Sequence, residues 1–352
     1  MQTIKKLAIF IGLFYIVSQA FLNILIPVDL IYNKRLNYDV FKDNVYAIET
    51  TVKAIKAEIH RENIKEYILF IGDSVGYGTP CPPEKTMSSF MNELAFQENS
   101  NIRVFNLCIP SSMFGDFYSV ILLLNKYNIS TENLILSFSY WEISAKTPSY
   151  WLRHYLKDLD KRSYNDMVLS GHIKQESAIS NFKSEIYHLI NTNISIIGYS
   201  GFINNKIKTV TNNALNQSNP VLQVWSQKPK LTRTLNLPEN RWYYSDKEFN
   251  LSNSSPQIYF INKIAEIQKG KNTIVFMNAM NKELLSEATA KEGFNNNIKA
   301  INKFFADKGL NYIDYNDKVD YSFFSDHVHL LPEGYKFMAQ DLWERINQHK
   351  EK

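Results

Sequence analysis

Two short polar segments near opposite ends of the chain carry the residue types needed for acyl transfer. One is GDS at 72–74, directly after the apolar run YILFIG, and the other is DHVH at 326–329. A serine hydroxyl becomes nucleophilic when a base removes its proton, and histidine suits that role because it titrates near neutral pH. A carboxylate then fixes the tautomer of the histidine. The segments therefore predict Ser74 as nucleophile, His329 as base and Asp326 as its orienting acid.

The elements that must position these residues alternate between strands and helices. Apolar runs typical of buried strands lie at 67–72, 102–107, 133–139, 272–278 and 311–315. Helical patterns lie between and after them, at 86–97, 113–127, 257–269, 291–308 and 333–348. This alternation predicts an α/β fold with about five parallel strands, covered by helices on both faces. Active sites of such sheets lie at the carboxyl ends of the strands, where Ser74 is expected.

Together the two motifs resemble those of the SGNH (GDSL-like) hydrolase superfamily, over about residues 67–348. Its first block is Gly-Asp-Ser after the first strand, and its last is Asp-x-x-His before the C-terminal helix. The resemblance implies a three-layer flavodoxin-like fold and a Ser74–His329–Asp326 triad that requires no cofactor and no metal. A metal site formed by Asp326, His327 and His329 is the alternative interpretation of the last segment.

The middle blocks of that family supply donors to an oxyanion hole, and here they depart from the family pattern. Ser111 stands where the second block has a glycine, so the backbone N–H groups of Ser74 and Ser111 are the expected donors. The third block has no asparagine in this chain, which leaves Tyr140 or Ser139 as the replacement. Loss of one donor typically lowers the rate by about 10²–10³.

The N-terminal segment predicts a membrane anchor and an exported body. The uncharged stretch 7–28 follows Lys5 and Lys6 and is long enough to span a bilayer as a helix. A cleavable signal peptide ending near 18–20 is the alternative. Both interpretations place the body outside the cytoplasm, at a bacterial periplasm or cell surface. We therefore divide the chain into an anchor at 1–34, a helical stem at 35–66 and an SGNH-like domain at 67–352.

An insertion or cap is expected at 141–256, between the third and fourth strands, because this stretch has no clear strand series. It is rich in aromatic residues, and Trp141 and Trp242 are candidates for binding a sugar. The alternative is that they belong to the core of the insertion, which is the commoner role of scattered aromatic residues in a long insertion. A net charge of +4, from 39 basic and 35 acidic residues without a long run of either, argues against nucleic acid as a partner.

An exported anchor joined to such a domain is similar to bacterial envelope proteins that acylate surface polymers. We therefore expect an O-acyltransferase or acylesterase that uses an acyl donor and a surface glycan or wall polymer, beside a membrane-bound O-acyltransferase. A catalytically degenerate partner protein of that acyltransferase is the alternative, and an exported lipase is a third. Cys81 and Cys108 follow neighbouring strands, so they form either one disulfide or two separate buried thiols.

Overall fold

The computed structural model describes residues 2–214, 221–235 and 237–350. The chain divides into two compact units. The smaller unit consists of Met1–Glu62 and Gln175–Asn219, and the larger consists of Asn63–Lys174 and Pro220–Lys352. The insertion expected at 141–256 is therefore shared between the two units, since its central part belongs to the smaller one.

The larger unit contains a parallel sheet of five strands, which confirms the predicted fold class. The strands are β1 (Tyr67–Gly72), β2 (Arg103–Asn106), β3 (Asn133–Phe138), β4 (Asn272–Met277) and β5 (Asn311–Asp314). Their spatial order is β2-β1-β3-β4-β5, and every neighbouring pair is parallel. This order is that of flavodoxin-like sheets, whose ligands bind where the strand order reverses. The reversal lies at β1, which ends at Gly72, two residues before Ser74.

The strands read as continuous apolar runs because both faces of the sheet are covered. In β1, the residues from Ile68 to Gly72 are all buried. On one face, Phe70 and Phe276 pack with the helices Met87–Gln97 and Pro332–Lys350 in a single core. On the other face, the ring of Phe138 lies 5.3 Å from both Phe114 and Phe305, which belong to two further helices. The larger unit therefore has three layers.

The helices of the larger unit follow the predicted alternation closely outside the insertion. The α-helices are Ser74–Tyr77, Met87–Gln97, Phe114–Lys126, Arg153–Leu159, Lys161–Leu169, Leu231–Leu235, Pro256–Ile267, Ser286–Thr289, Glu292–Asp307 and Pro332–Lys350. Short 3₁₀ helices occur at Pro83–Lys85, Tyr140–Ser144, Trp225–Gln227, Pro238–Tyr244 and Tyr321–Phe323. The insertion contributes helices and 3₁₀ turns to this unit, and no strand among its described residues.

The smaller unit is mainly helical. Its helices are Gln2–Leu25, Val28–Ile31, Tyr38–Asp43, Ala47–Arg61, Ala178–Asn193 and Ser195–Ala214, and two short strands, Tyr32–Asn33 and Arg35–Leu36, pair antiparallel. Glu49 is 2% exposed and lies 3.1 Å from Nε2 of His188. The ring of His188 also stacks on Tyr46 at 5.3 Å. These contacts join the helix Ala47–Arg61 to Ala178–Asn193, although they are far apart in the sequence.

The segment predicted to be a membrane anchor falls in the helix Gln2–Leu25 of the smaller unit. Among the residues that the structure describes, no helix combines the length and the apolar character needed to cross a membrane. The alternative cleavage site at 18–20 lies outside the residues whose side chains are described. The anchor at 7–28 therefore stays a prediction.

Candidate active site

Ser74 is held at the carboxyl end of β1 by the two residues before it. Asp73 caps the helix Ser74–Tyr77, since its Oδ1 accepts from the backbone N–H of Val75 at 3.0 Å and of Gly76 at 3.3 Å. A side chain at position 72 would overlap Ser137 of the adjacent strand, so glycine is required there. The close approach of β1 to β3 and the cap together fix where the Ser74 hydroxyl emerges.

Asp326 and His329 form a closed turn just before the last helix. Oδ1 of Asp326 accepts from the backbone N–H of His329 at 2.8 Å and of Val328 at 3.0 Å. The other oxygen, Oδ2, lies 2.8 Å from Nδ1 of His329. The spacing of three residues therefore lets one carboxylate fix both the backbone of the turn and the imidazole ring.

The structure brings all three residues of the predicted triad into one hydrogen-bonded chain. Nε2 of His329 lies 2.8 Å from Oγ of Ser74, across a sequence separation of 255 residues. A carboxylate can only accept a hydrogen bond, so Nδ1 carries the ring proton and Nε2 accepts from the Ser74 hydroxyl. This is the tautomer that a general base for Ser74 requires.

The charges in this chain shift the pKa values of its members in opposite directions. Burial by itself raises the pKa of Asp326, but the charge and hydrogen bond of His329 outweigh it and bring that pKa well below its ordinary value. Burial by itself lowers the pKa of His329, but the charge and hydrogen bond of Asp326, with a contribution from Asp73, raise it above the ordinary value. The site therefore stabilises the imidazolium that forms when Ser74 loses its proton.

Beneath the nucleophile lies a buried polar network that the sequence did not reveal. Oδ2 of Asp73 accepts from the hydroxyl of Ser139 and from Nδ2 of Asn278, the latter at 2.8 Å. Nδ2 of Asn278 also lies 3.0 Å from Oγ of Ser139, and Asn278 is fully buried. These residues follow β1, β3 and β4, so the network ties together the carboxyl ends of three strands. The position of Asn278 at the carboxyl end of a predicted strand was the available signal.

Glu142 extends this network as a second buried carboxyl group. It is fully buried, and its Oε1 accepts from the backbone N–H of Ser139 at 3.2 Å. Burial, together with the nearby charge of Asp73, raises the pKa of Glu142 well above its ordinary value. The environment of Glu142 therefore favours the neutral carboxylic acid over a second negative charge beneath Ser74.

The backbone N–H groups of Ser74 and Ser111 are the oxyanion donors that the structure leaves available. Neither has a hydrogen-bond acceptor among the described residues. Ser111 has φ of 62°, a left-handed conformation that explains why a glycine suits this position. Its turn is fixed beside Ser74, since the N–H of Ile109 donates to the carbonyl of Gly72 at 2.8 Å. The hydroxyl of Ser112 lies 2.9 Å from that carbonyl oxygen and 2.6 Å from the carbonyl oxygen of Ile109, so its one proton is shared between the two acceptors.

The two side chains considered as a third donor are bonded elsewhere. The hydroxyl of Tyr140 donates to the carbonyl of Ser245 at 2.6 Å and accepts from Asn297 at 2.9 Å. The hydroxyl of Ser139 donates to Asp73. In this arrangement, both candidates hold other parts of the fold in place, and the available donors are backbone groups.

Both cysteines are buried thiols rather than partners in a disulfide. Sγ of Cys81 lies 3.6 Å from the carbonyl oxygen of Leu330, and Sγ of Cys108 lies 3.6 Å from that of Phe70. Burial raises the pKa of the Cys108 thiol well above its ordinary value. Of the two arrangements considered, the structure therefore has separate thiols, and Cys108 is in its unreactive, protonated form.

An aromatic cluster lies beside the base and includes both tryptophans predicted to bind substrate. Trp141 meets Trp242 edge to face at 5.1 Å, and Trp242 stacks on Tyr243 at 3.8 Å. Tyr243 lies 5.8 Å from His327, whose ring is 6.2 Å from that of His329. Trp242 is 47% exposed, so its ring offers a surface to a ligand. The cluster thus joins the insertion to the triad loop.

His327 belongs to the same loop as His329 but has a different environment. Burial lowers the pKa of His327 to about 4, although the charge of Asp326 opposes the shift. Its Nδ1 is buried and has no hydrogen-bond partner among the described residues. His327 is therefore a neutral ring at pH 7, and its packing between Tyr243 and His329 is its clearest role.

Comparison with known proteins adds little to this geometry. The chain matches no protein-family model, and no curated protein matches it. Among solved structures it is similar to the acetyl xylan esterase AlAXEase, with 11% identity and a TM-score of 0.33, over 80% of this chain and 99% of that chain. A TM-score of this size carries no argument, so any assignment of function depends on the site itself.

Proposed function

We propose that this protein is a serine acyl-transfer enzyme of the SGNH type, with Ser74 as nucleophile, His329 as general base and Asp326 as the residue that orients it. The observation that carries the proposal is the continuous chain from Asp326 through His329 to Ser74, with both hydrogen bonds at 2.8 Å. A buried turn serine requires no such chain, whereas activation of a hydroxyl requires both links.

The proposed reaction has two half-reactions. His329 takes the proton of Ser74 as Oγ bonds to the carbonyl carbon of an acyl ester, and the N–H groups of Ser74 and Ser111 stabilise the oxyanion. The tetrahedral intermediate collapses when the leaving alcohol takes the proton from His329, which leaves an acyl-serine. A second hydroxyl, of water or of a glycan, then gives its proton to His329 as its oxygen bonds to the acyl carbon. The bond from that carbon to Oγ of Ser74 breaks, and His329 returns the proton to Oγ, which restores the free enzyme.

The acceptor and the location are part of the same proposal. We assign the acceptor to a polysaccharide or wall polymer of the cell surface, with a membrane-bound O-acyltransferase as a partner. The support is the apolar segment 7–28 after two lysines, and the exposed ring of Trp242 beside the triad loop. The location is tested by adding a protease to cells whose outer layer has been made permeable while the cytoplasmic membrane stays intact. Digestion of the larger unit supports the proposed location, and complete protection contradicts it.

The decisive test is covalent labelling of the full-length protein in detergent with a fluorophosphonate, followed by mass spectrometry. Ser74 attacks phosphorus and releases fluoride, so wild type should gain one adduct on Ser74. Ser74→Ala should gain none, and His329→Ala should react at least about 10³-fold more slowly. His327→Gln is the matched control, since it changes the neighbouring histidine of the same loop and should keep the adduct.

Incubation with p-nitrophenyl acetate should give the corresponding acetyl-Ser74, which shows that carbon esters also react. A folded wild-type protein that forms neither adduct overturns the enzymatic proposal. It would instead favour a binding partner of a membrane O-acyltransferase, in line with the absence of an asparagine in the third block. Labelling at a residue other than Ser74 also contradicts the assigned triad.

A further inference from the structure

A large cavity opens beside the triad and is lined by residues that the proposed chemistry does not use. Its volume is about 940 Å³. It lies between the end of the 3₁₀ helix Tyr140–Ser144, the segment around 242–256 and the helix Ser286–Thr289. Ser74 and His329 are not part of its lining. Its size is at the upper end of the range for ligand sites, about 300–1,000 Å³, so it has room for more than one sugar unit.

Two aromatic residues connect this cavity to the base. Trp242 and Tyr244 line the cavity. The ring of Tyr244 lies 6.0 Å from that of His327, and His327 lies 6.2 Å from His329. A ligand on the cavity side of these rings is therefore separated from the triad loop by one layer of side chains. The aromatic rings that line the cavity therefore lead through His327 to the proposed base.

The charged side chains that line the cavity indicate whether its ligand is charged or neutral. Three lysines line it, Lys146, Lys247 and Lys291, and so do three carboxylates, Asp246, Glu248 and Glu287. Nζ of Lys291 lies 3.1 Å from Oδ2 of Asp246, so this pair neutralises itself. A polyanion would meet as many repelling as attracting groups and would gain no net Coulomb energy.

The remaining lining suits a ligand that has apolar faces and also carries many hydroxyl groups. Trp242 and Phe249 provide ring surface, while Ser245, Asn250 and Ser254 provide hydrogen-bonding groups. A sugar ring presents C–H faces that pack on aromatic rings, and hydroxyl groups that require donors and acceptors. A lipid chain would offer no hydrogen bond to the charged and hydroxyl groups of this lining.

We infer that this cavity is a subsite for a neutral oligosaccharide segment, which holds an acceptor polymer so that an adjacent sugar reaches the acyl group on Ser74. The inference rests on the proposed function for the role of Ser74, and it narrows the acceptor to an uncharged glycan rather than a polyol phosphate or polyuronate. The subsite also predicts that longer oligosaccharides bind more tightly than single sugars, because only they fill it.

Binding can be tested without any chemistry, by titration calorimetry on full-length Ser74→Ala. The probes are cellohexaose and chitohexaose as neutral oligomers, glucose and N-acetylglucosamine as single units, and hexagalacturonate as an anionic oligomer. We expect at least one neutral hexamer to bind more tightly than its own single sugar and than the anionic hexamer. Tighter binding of hexagalacturonate, or equal binding of hexamer and single sugar, overturns the inference.

Substitutions of Trp242 test whether the oligosaccharide binds in this cavity. Trp242→Ala should weaken binding of that hexamer about tenfold, and Trp242→Phe should weaken it less, because it keeps a ring. Trp242 is 47% exposed, so both variants should fold, which thermal unfolding checks. Unchanged affinity in a folded Trp242→Ala also overturns the inference. Labelling of Ser74 in wild type is measured separately, so failure of the subsite and failure of the triad are distinguishable.

Discussion

The nucleophile end of β1 and the wall of the neighbouring cavity are built in opposite ways. Around Asp73, four donors converge on one buried carboxyl group, from Val75, Gly76, Ser139 and Asn278. The cavity wall instead has one exposed ring, Trp242, and equal numbers of positive and negative side chains. A fixed buried network suits a reaction that tolerates small positional errors poorly, whereas an open wall suits a repeating polymer. Changes to the first region should therefore slow chemistry, and changes to the second should weaken binding.

Of the substitutions that separate chemistry from sugar binding, Asp326→Asn should have the largest effect on the rate. The amide keeps the shape of the side chain but favours the wrong tautomer of His329, so ester cleavage should fall by about 10⁴-fold. The affinity of Ser74→Ala and of Ser74→Ala/Asp326→Asn for a neutral hexamer should be equal. The measurement is steady-state kinetics with p-nitrophenyl acetate, alongside calorimetry. A loss of sugar affinity of similar size would show that the two regions are not separable.

The dependence of the rate on pH tests whether Asp326 raises the pKa of His329. His329 must be neutral to act as base, and its pKa is raised above the ordinary value of about 6.5. The rate should therefore increase with pH and reach half of its plateau above pH 6.5. In Asp326→Asn the carboxylate that raises this pKa is absent, so the midpoint should move to lower pH. A midpoint that stays in place would show that Asp326 does not act on His329.

Substitution of two buried asparagines, one in each region, should have effects of intermediate size on stability and on either labelling or sugar binding. Asn278 bonds to Asp73 beneath Ser74, and Asn297 holds the cavity wall through the carbonyl of Lys247 at 2.8 Å. Each change to alanine should lower the free energy of unfolding by about 1–3 kcal/mol, because a buried partner loses its hydrogen bond. Asn278→Ala should also slow labelling of Ser74, and Asn297→Ala should instead weaken sugar binding.

Denaturant unfolding, fluorophosphonate labelling rates and calorimetry separate these outcomes. If Asn278→Ala and Asn297→Ala both slow labelling by the same factor, loss of stability alone explains the result. The contrast between the two regions then fails. If only Asn278→Ala slows it, the network beneath the nucleophile positions Ser74 in addition to stabilising the fold.

The smallest effect should come from His327→Gln. Burial lowers the pKa of His327 to about 4, so its ring binds a proton weakly and is a poor candidate for the base. Its ring packs between Tyr243, Tyr244 and His329, and loss of such contacts costs about 0.5–1.5 kcal/mol. We expect KM to rise by about 2- to 12-fold and kcat to stay within about threefold. A fall in kcat comparable to that of His329→Ala would reassign the base.

Much of the larger unit could be predicted because its strands are short apolar runs that follow one another through helices. The run at 67–72 is β1 without a change of boundary, and the pattern at 291–308 is the helix Glu292–Asp307. The insertion could not be predicted in the same way, because its described part has no series of strands between which its helices could be placed. The segment 175–219 contributes two of them to the smaller unit, through contacts such as that of His188 with Glu49.

The candidate site was partly predictable for a related reason. Ser74, Asp326 and His329 belong to two local motifs, so their types and spacing were visible in the sequence. The roles of Asn278 and Glu142 depend on which strand ends meet in space, and no local pattern specifies that. Tyr140 illustrates the converse, since its position favoured an oxyanion donor while its hydroxyl bonds to Ser245 and Asn297.

The sequence distance across the triad has a consequence for how the protein is made. The proposed nucleophile and base are separated by 255 residues in the sequence, and the base precedes the helix Pro332–Lys350. A ribosome therefore synthesises the strand that presents Ser74 long before it synthesises His329. On the proposed mechanism, Ser74 has no base to take its proton during that interval, so an unfinished polypeptide without His329 should form acyl-serine far more slowly than the folded protein.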